Sequence, residues 1–107
     1  MVQLTPIPMG DRQVIGITVD LPKTRLVIAA TPAGYIMCGA LDVALLDRLL
    51  GHRGIVAGRS LGVRTLEDLL DRPLESVTKA AHALGLRVGM AGRDALSLLL
   101  LTEGDAG

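Results

Sequence analysis

Aromatic side chains are almost missing from this 107-residue chain: there is no Trp and no Phe, and Tyr35 stands alone. A core without large rings must be built from many small aliphatic contacts and close backbone approach, and 13 glycines supply the second. Cysteine is nearly absent too. The single Cys38 cannot make an internal disulfide, which excludes a disulfide-stapled scaffold and suits a reducing, cytoplasmic setting. Neither sign of charge prevails, with 11 basic residues against 11 acidic, so no global field recruits nucleic acid or an anionic membrane. No apolar run comes near the ~20 residues of a bilayer span. The first residues include Asp11 and lack a basic segment ahead of an apolar run, so no secretory leader is expected. Asn is absent and Arg outnumbers Lys nine to two; either bias fits a hot habitat or GC-rich coding, and neither points to a function.

What is present is aliphatic. Half of the residues are hydrophobic, and a chain of this length forms one domain that buries roughly 60–70% of its unfolded surface without metal or disulfide staples. The expectation is a single α+β domain over residues 1–101, followed by a frayed tail at 102–107. Such apolar richness is high for a small monomer and predicts a homo-oligomer. Leu96, Leu98, Leu99, Leu100 and Leu101 cover most of a last helix, which is then either buried all round or the meeting surface.

The first third reads as strands. Val2–Met9 alternates imperfectly, and Gly10-Asp11 turns it into a second strand over residues 13–19. Pro22-Lys23 breaks that run before a third strand, Thr24–Ala30, and Pro32-Ala33-Gly34 precedes a fourth at residues 35–38. Short connections between four strands favour an antiparallel meander, with Pro6 and Pro8 placing the first strand at an edge. Beyond it, helices alternate with short strands. A helix over residues 42–50 carries Leu45, Leu46, Leu49 and Leu50 on one face, with Gly51 as its closing glycine. Residues 54–57 read as a short buried strand. Thr65 caps a helix over residues 66–71, with Asp68 in the capping-box position. Pro73 opens the next helix, whose stripe is Val77, Ala80, Ala81 and Leu84 and whose end is Gly85. A strand at residues 87–90 leads through Gly92 into the last helix.

At an offset of 34, residues 51–59 lie over residues 85–93 with five of nine positions identical, including Ala-Gly-Arg at the end of each. The pattern suggests two helix–Gly–strand units related by a pseudo-twofold. Two copies are too few for a solenoid.

The string Gly34-Tyr35-Ile36-Met37-Cys38-Gly39-Ala40-Leu41-Asp42 resembles the YunC-type bacterial and archaeal family, a domain of unknown function. So do Leu21-Pro22-Lys23-Thr24, Arg53-Gly54-Ile55-Val56-Ala57-Gly58-Arg59 and Gly62-Val63-Arg64-Thr65. Further blocks at residues 73–78 and 88–93 extend the likeness over roughly residues 3–100. The resemblance implies a small α+β fold and a cytosolic setting, and it carries over no catalytic residues.

Three groups of residues could carry chemistry. Cys38 ends an apolar strand just before Gly39-Ala40 and a helix near Asp42, so its thiol could be a nucleophile stabilised by that helix, or a small buried hydrophobe beneath it. His52 and His82 could serve as a base, but each has a structural explanation, at a helix end and on a solvent face. Neither spacing makes a metal site. Gly58, Arg59, Ser60 and Arg64, with Gly92 and Arg93, form Arg/Gly turns that suit a carboxylate or phosphate ligand. The Gly-Lys-Ser/Thr end of a Walker loop is missing. The alternative is that Arg59 and Arg93 pair with acids and hold the turns together.

Residues 61–70 also resemble the opening of modules related to helix-hairpin-helix proteins. The nearest glycines, Gly89 and Gly92, are spaced differently, and Glu67, Asp68, Asp71 and Glu75 crowd the segment, against nucleic-acid binding. The function expected is therefore binding of a small anionic ligand through Arg/Gly turns, without membrane attachment and with no cofactor called for. An enzyme using Cys38, or a purely structural or interaction subunit, are the alternatives.

Overall fold

A computed structural model describes the backbone of residues 1–106 and the side chains of residues 1–102. Six strands form one sheet in the order β1-β2-β3-β4-β5-β6: Val2–Met9, Arg12–Leu21, Thr24–Ala30, Tyr35–Met37, Ala57–Ser60 and Leu74–Val77. The first four make the antiparallel meander that the turn residues dictate, with β1 at the edge. At the Pro22-Lys23 turn, Lys23 takes a left-handed conformation, φ 64°. The β4 and β5 strands run parallel, joined through helix α1 (Val43–Leu50), and β6 returns antiparallel to β5.

Strand alternation sorts the sheet into two faces. The inner face carries Val14, Val27, Ala29 and Ile36, all fully buried. Over it lie α2 (Leu66–Asp71) and α4 (Gly92–Ala106), which contribute Leu69, Leu96, Leu99 and Leu100 to the same core, and α3 (Lys79–Leu84) adds Ala81. A Cβ at Gly16 would fall 2.6 Å from Leu66 Cδ1, so its lack of a side chain lets α2 settle onto β2. Gly92 has a similar duty, because a Cβ there would overlap the Leu69 carbonyl where α4 crosses the end of α2. Helix α1 packs beside β5, and its one buried residue, Val43, lies outside that core.

The outer face is also apolar. One row runs Leu4, Ile17, Ile28, Met37 and then Arg59 and Ser76 across successive strands. None of the four apolar members is buried.

Several expectations are corrected. Residues 54–56 are not strand: β5 begins at Ala57 and takes in Gly58-Arg59-Ser60, expected as a turn. These residues extend because β4 and β6 offer them ladder partners on both sides, a tertiary condition. Leu74–Val77, expected as helix, is β6, and α3 starts only after Thr78, whose side chain caps it. The expected strand at 87–90 is a turn: Gly89 and Met90 bond Leu74, and only Ala91 bridges Pro73. The two repeat copies therefore adopt different structures, and the pseudo-twofold is absent. Gly51 is helical in backbone (φ −56°) and continues into a 3₁₀ turn, Gly51–Arg53, so the left-handed residue is Gly54, φ 62°. Leu45 and Leu49 of α1 are exposed rather than buried. The last helix is mostly core: Leu96 and Leu99 are fully buried, while Leu101 is 68% exposed. It runs on through 102–106, where a tail was expected, and Gly107 lies outside the described residues.

Candidate functional site

Arginine on a central strand is unusual, because five donors must be satisfied between two neighbouring backbones. Arg59 stands opposite Met37 on one side and Ser76 on the other, on the outer face. Between Arg59 and Ser60 the register with β6 shifts. This bulge leaves Glu75 as the extra residue and turns its carboxylate toward the arginine. Glu75 Oε1 lies 3.9 Å from Arg59 Nη1, an ion pair too long for a hydrogen bond. Arg59 Nε and Ser76 Oγ are both covered and have no hydrogen-bond partner, although the arginine side chain as a whole is 31% exposed. With Nη1 turned to Glu75, the edge left over is Nε–Nη2, the fork that pairs side-on with a carboxylate or phosphate. Near Nη2 lies the bare backbone of Gly39, whose missing Cβ would come within 3.9 Å of it. The place lies at the carboxyl ends of β4 and β5, the parallel pair, where α/β sheets tend to open a crevice.

The other expected site residues are scattered. Ser60 points to the inner face, fully buried, and its hydroxyl donates to the Pro73 carbonyl at 3.3 Å. Gly58 lies under Leu74 and Ile36, so its smallness serves packing rather than a flexible loop. Gly92 and Arg93 form the first turn of α4 on the inner side, and the Arg93 guanidinium donates to the Asp71 carboxylate. That hydrogen bond raises the Arg93 pKa further above its ordinary value. Arg59 and Arg93 thus do not meet in one site.

Arg64 lies elsewhere again. With Lys23, Thr24, Arg25 and Val63 it lines an open cleft of about 450 Å³ at the tip of the β2–β3 hairpin. Arg25 donates to Asp20 at 2.6 Å and to the Arg64 carbonyl at 3.3 Å. Among the described residues no carboxylate pairs with Lys23 or Arg64. The backbone N–H of Arg64 donates to Asp68 at 3.1 Å, which together with the Thr65 backbone and hydroxyl holds the Asp68 pKa below its ordinary value. Thr65 in turn accepts from the Asp68 N–H as the expected N-cap, and the reciprocal bond of the Asp68 carboxylate is made with the Arg64 N–H.

Cys38 is 5% exposed and belongs to the core beneath α2 and α4. Its sulfur accepts the Val27 N–H at 3.5 Å. Four residues separate it from the first turn of α1, whose N-cap is Asp42. Both histidines are exposed and neither shares the cysteine's surroundings. Among the described residues no group of His, Cys, Asp and Glu could hold a metal ion, and no helix is long and apolar enough to cross a membrane. Sequence reading passed over Glu75 and Ser76, whose only signal was the apolar–polar pattern of Leu74-Glu75-Ser76-Val77 around a missed strand.

The comparisons with known proteins bear on this arrangement. A family model described as "Domain of unknown function (DUF1805)" matches residues 37–99, well over half the chain. The chain belongs to the DUF1805 family. The DUF1805 span contains Cys38, Arg59, Glu75, Ser76 and Arg93, and leaves out the first three strands. Over 96 residues the chain is 60% identical to the uncharacterised protein YunC of Bacillus subtilis (strain 168), covering 90% of this chain and 95% of that protein. The crystal structure of TA1206 from Thermoplasma acidophilum, a protein of unknown function, superposes with a TM-score of 0.82 at 27% identity, covering 92% and 93% of the two chains. The α+β fold and the YunC-type kinship expected from the quoted blocks both hold.

Proposed function

We propose that this DUF1805 domain is a cytoplasmic small-molecule binding module that takes a carboxylate or phosphate group at Arg59. The observation that carries the reading is the guanidinium edge that Glu75 leaves without an acceptor. A partly covered charge whose Nε has no acceptor, beside a covered Ser76 hydroxyl also without one, is costly unless something bonds to both. An anion with two or three oxygens could bridge the Nε–Nη2 edge and the hydroxyl, and Glu75 would tune affinity by partly offsetting the charge. Nothing around Cys38 supports a nucleophile, because it lies in apolar core with no base beside it.

A ligand-class thermal-shift screen tests this, using inorganic phosphate, nucleotides and small carboxylates on the parent and on Arg59→Lys. Lysine keeps the charge and loses the fork. The parent's Tm should rise with one class of anion. Arg59→Lys should keep its own Tm and lose roughly 1.5–3 kcal/mol of binding, or about 10- to 150-fold in affinity. A flat screen on the parent together with a destabilised Arg59→Lys makes Arg59 a structural residue.

The cleft at Lys23 and Arg64 supports a second place for the same chemistry, since two unpaired cations face 450 Å³ of open space. Arg64→Gln run through the same screen separates the two: loss of response there, and not in Arg59→Lys, moves the ligand to the hairpin tip.

A further inference from the structure

An antiparallel sheet with one solvated face alternates apolar and polar residues along each strand. The first four strands of this protein do not. Their outer-face positions, set by the ladder that pairs Leu4 with Ile17, Ile17 with Ile28 and Ile28 with Met37, contain no Asp, Glu, Lys or Arg. Exposure is greatest toward the edge strand, 66% at Leu4 and 42% at Ile15, while the inner-face neighbours Val14 and Val27 are at 0%. The helices that pack on β2, β3 and β4 are α2 and α4, which occupy the opposite side.

We infer that this outer face is the interface of a homodimer, two copies packing sheet against sheet. Three observations select a second copy as the occupant. The face is uncharged, so two identical faces meet without the like-charge repulsion that ordinarily keeps exposed sheets apart, and the chain's net charge of +0 adds none at longer range. Its size is right. Four strands ~4.8 Å apart, of 8, 10, 7 and 3 residues at ~3.4 Å each, cover roughly 450 Å² in plan, and side-chain relief carries this toward the ~600–800 Å² per partner of a stable interface. A flat aliphatic sheet is also best complemented by another, as in sandwiches whose sheets lie ~10 Å apart with interdigitating Val, Ile and Leu. Edge-to-edge association is blocked instead, because Pro6 and Pro8 interrupt the donors of the edge strand β1. The interface is independent of the anion reading: Ile17, at its centre, is two strands removed from Met37 and three from Arg59 along the same row.

Sedimentation equilibrium on the full chain at micromolar concentration tests the inference. The parent is expected at twice the protomer mass. Ile17→Lys should run as a monomer with an unchanged far-ultraviolet circular dichroism spectrum, because a lysine on an exposed strand face costs little in the free protomer and is desolvated in the dimer. Ile17→Thr, a conservative strand former, carries the test if the lysine variant does not fold; its dimer dissociation constant should rise at least about tenfold. Leu101→Ser, on the exposed side of α4, should remain dimeric. A monomeric parent overturns the proposal. So does a dimer that Ile17→Thr leaves intact, and a dimer broken by Leu101→Ser moves the interface to the last helix.

Discussion

The hydroxyl of Thr78 is the most consequential single oxygen in the fold, and its loss can be worked through atom by atom. Thr78 is 1% exposed between β6 and α3. Its Oγ1 donates to the Ile55 carbonyl at 2.6 Å and accepts the N–H groups of Ala57 and Ala81, each at 3.2 Å. One donor and two acceptor positions are therefore all in use. Thr78→Val preserves shape and removes all three bonds. The lost N-cap of α3 costs about 1 kcal/mol. Stranding the Ala57 N–H and the Ile55 carbonyl costs about 1–3 kcal/mol each, so the sum is about 3–7 kcal/mol. That is at least about a fifth of the ~5–15 kcal/mol that holds an ordinary domain together. Thr78→Ser keeps the hydroxyl and gives up one methyl group, about 0.8 kcal/mol. Urea unfolding followed by circular dichroism reads both variants. With a slope of ~1–3 kcal/mol/M, the valine variant should lose about 1 M or more in midpoint and the serine variant under about 1 M. Valine and serine variants of equal stability would refute the reasoning, since the hydroxyl would then carry none of the load. The consequence reaches the site as well: Ile55 and Ala57 lead directly into β5, so loosening them displaces the strand that carries Arg59.

The remaining predictions are smaller. Asp68 has a lowered pKa, chiefly through the Arg64 N–H, so its stabilising contribution is present above the ordinary value of 3.8 and is lost as pH falls through the lowered one. The stability gap between parent and Asp68→Asn should therefore be full near neutral pH and close in strong acid, as thermal melts across that range would register; a gap independent of pH would place the effect outside the carboxylate. Cys38, buried in the core, should react with a thiol reagent at the rate of unfolding rather than on mixing. Rapid native labelling that climbs with pH would make it an accessible thiol and reopen the nucleophile reading.

Local chemistry made much of the fold legible. The Gly10-Asp11 and Pro22-Lys23 turns, the prolines of β1, and the caps at Thr65 and Gly85 each act over a few residues, so their conformations could be read directly. What misled was a segment whose partners are distant. Ala57-Gly58-Arg59-Ser60 has the composition of a turn, yet it is a central strand because β4 and β6 pair with it from both sides. Leu74–Val77 falls where Pro73 and the stripe beginning at Val77 predict a helix, and it is a strand for the same reason, its partner lying fourteen or more residues upstream. The candidate site shared this fate. Arg59 was singled out, but Glu75 and Ser76, which define its surroundings, became visible only once β6 was seen as a strand with a bulge.

By itself the sequence determined an aliphatic, ring-poor domain with an N-terminal antiparallel meander, a family kinship, and one arginine worth testing. The domain and its meander follow from composition, turn chemistry and strand alternation, which act between near neighbours, whereas the kinship rests on the resemblance of the quoted blocks. Tertiary structure alone decided that the two Ala-Gly-Arg copies part company, one in a sheet and one at a helix start, so that Arg93 closes on Asp71 while Arg59, 3.9 Å from Glu75, keeps its Nε without an acceptor. It also decided where the surplus apolar surface went. The leucines of α4 are largely taken up by the inner face, and the valines and isoleucines of the meander's outer face are left half-buried or exposed. Identical short stretches diverge in this way because a backbone takes the conformation that satisfies its donors and acceptors, and which partners stand beside it depends on the whole chain.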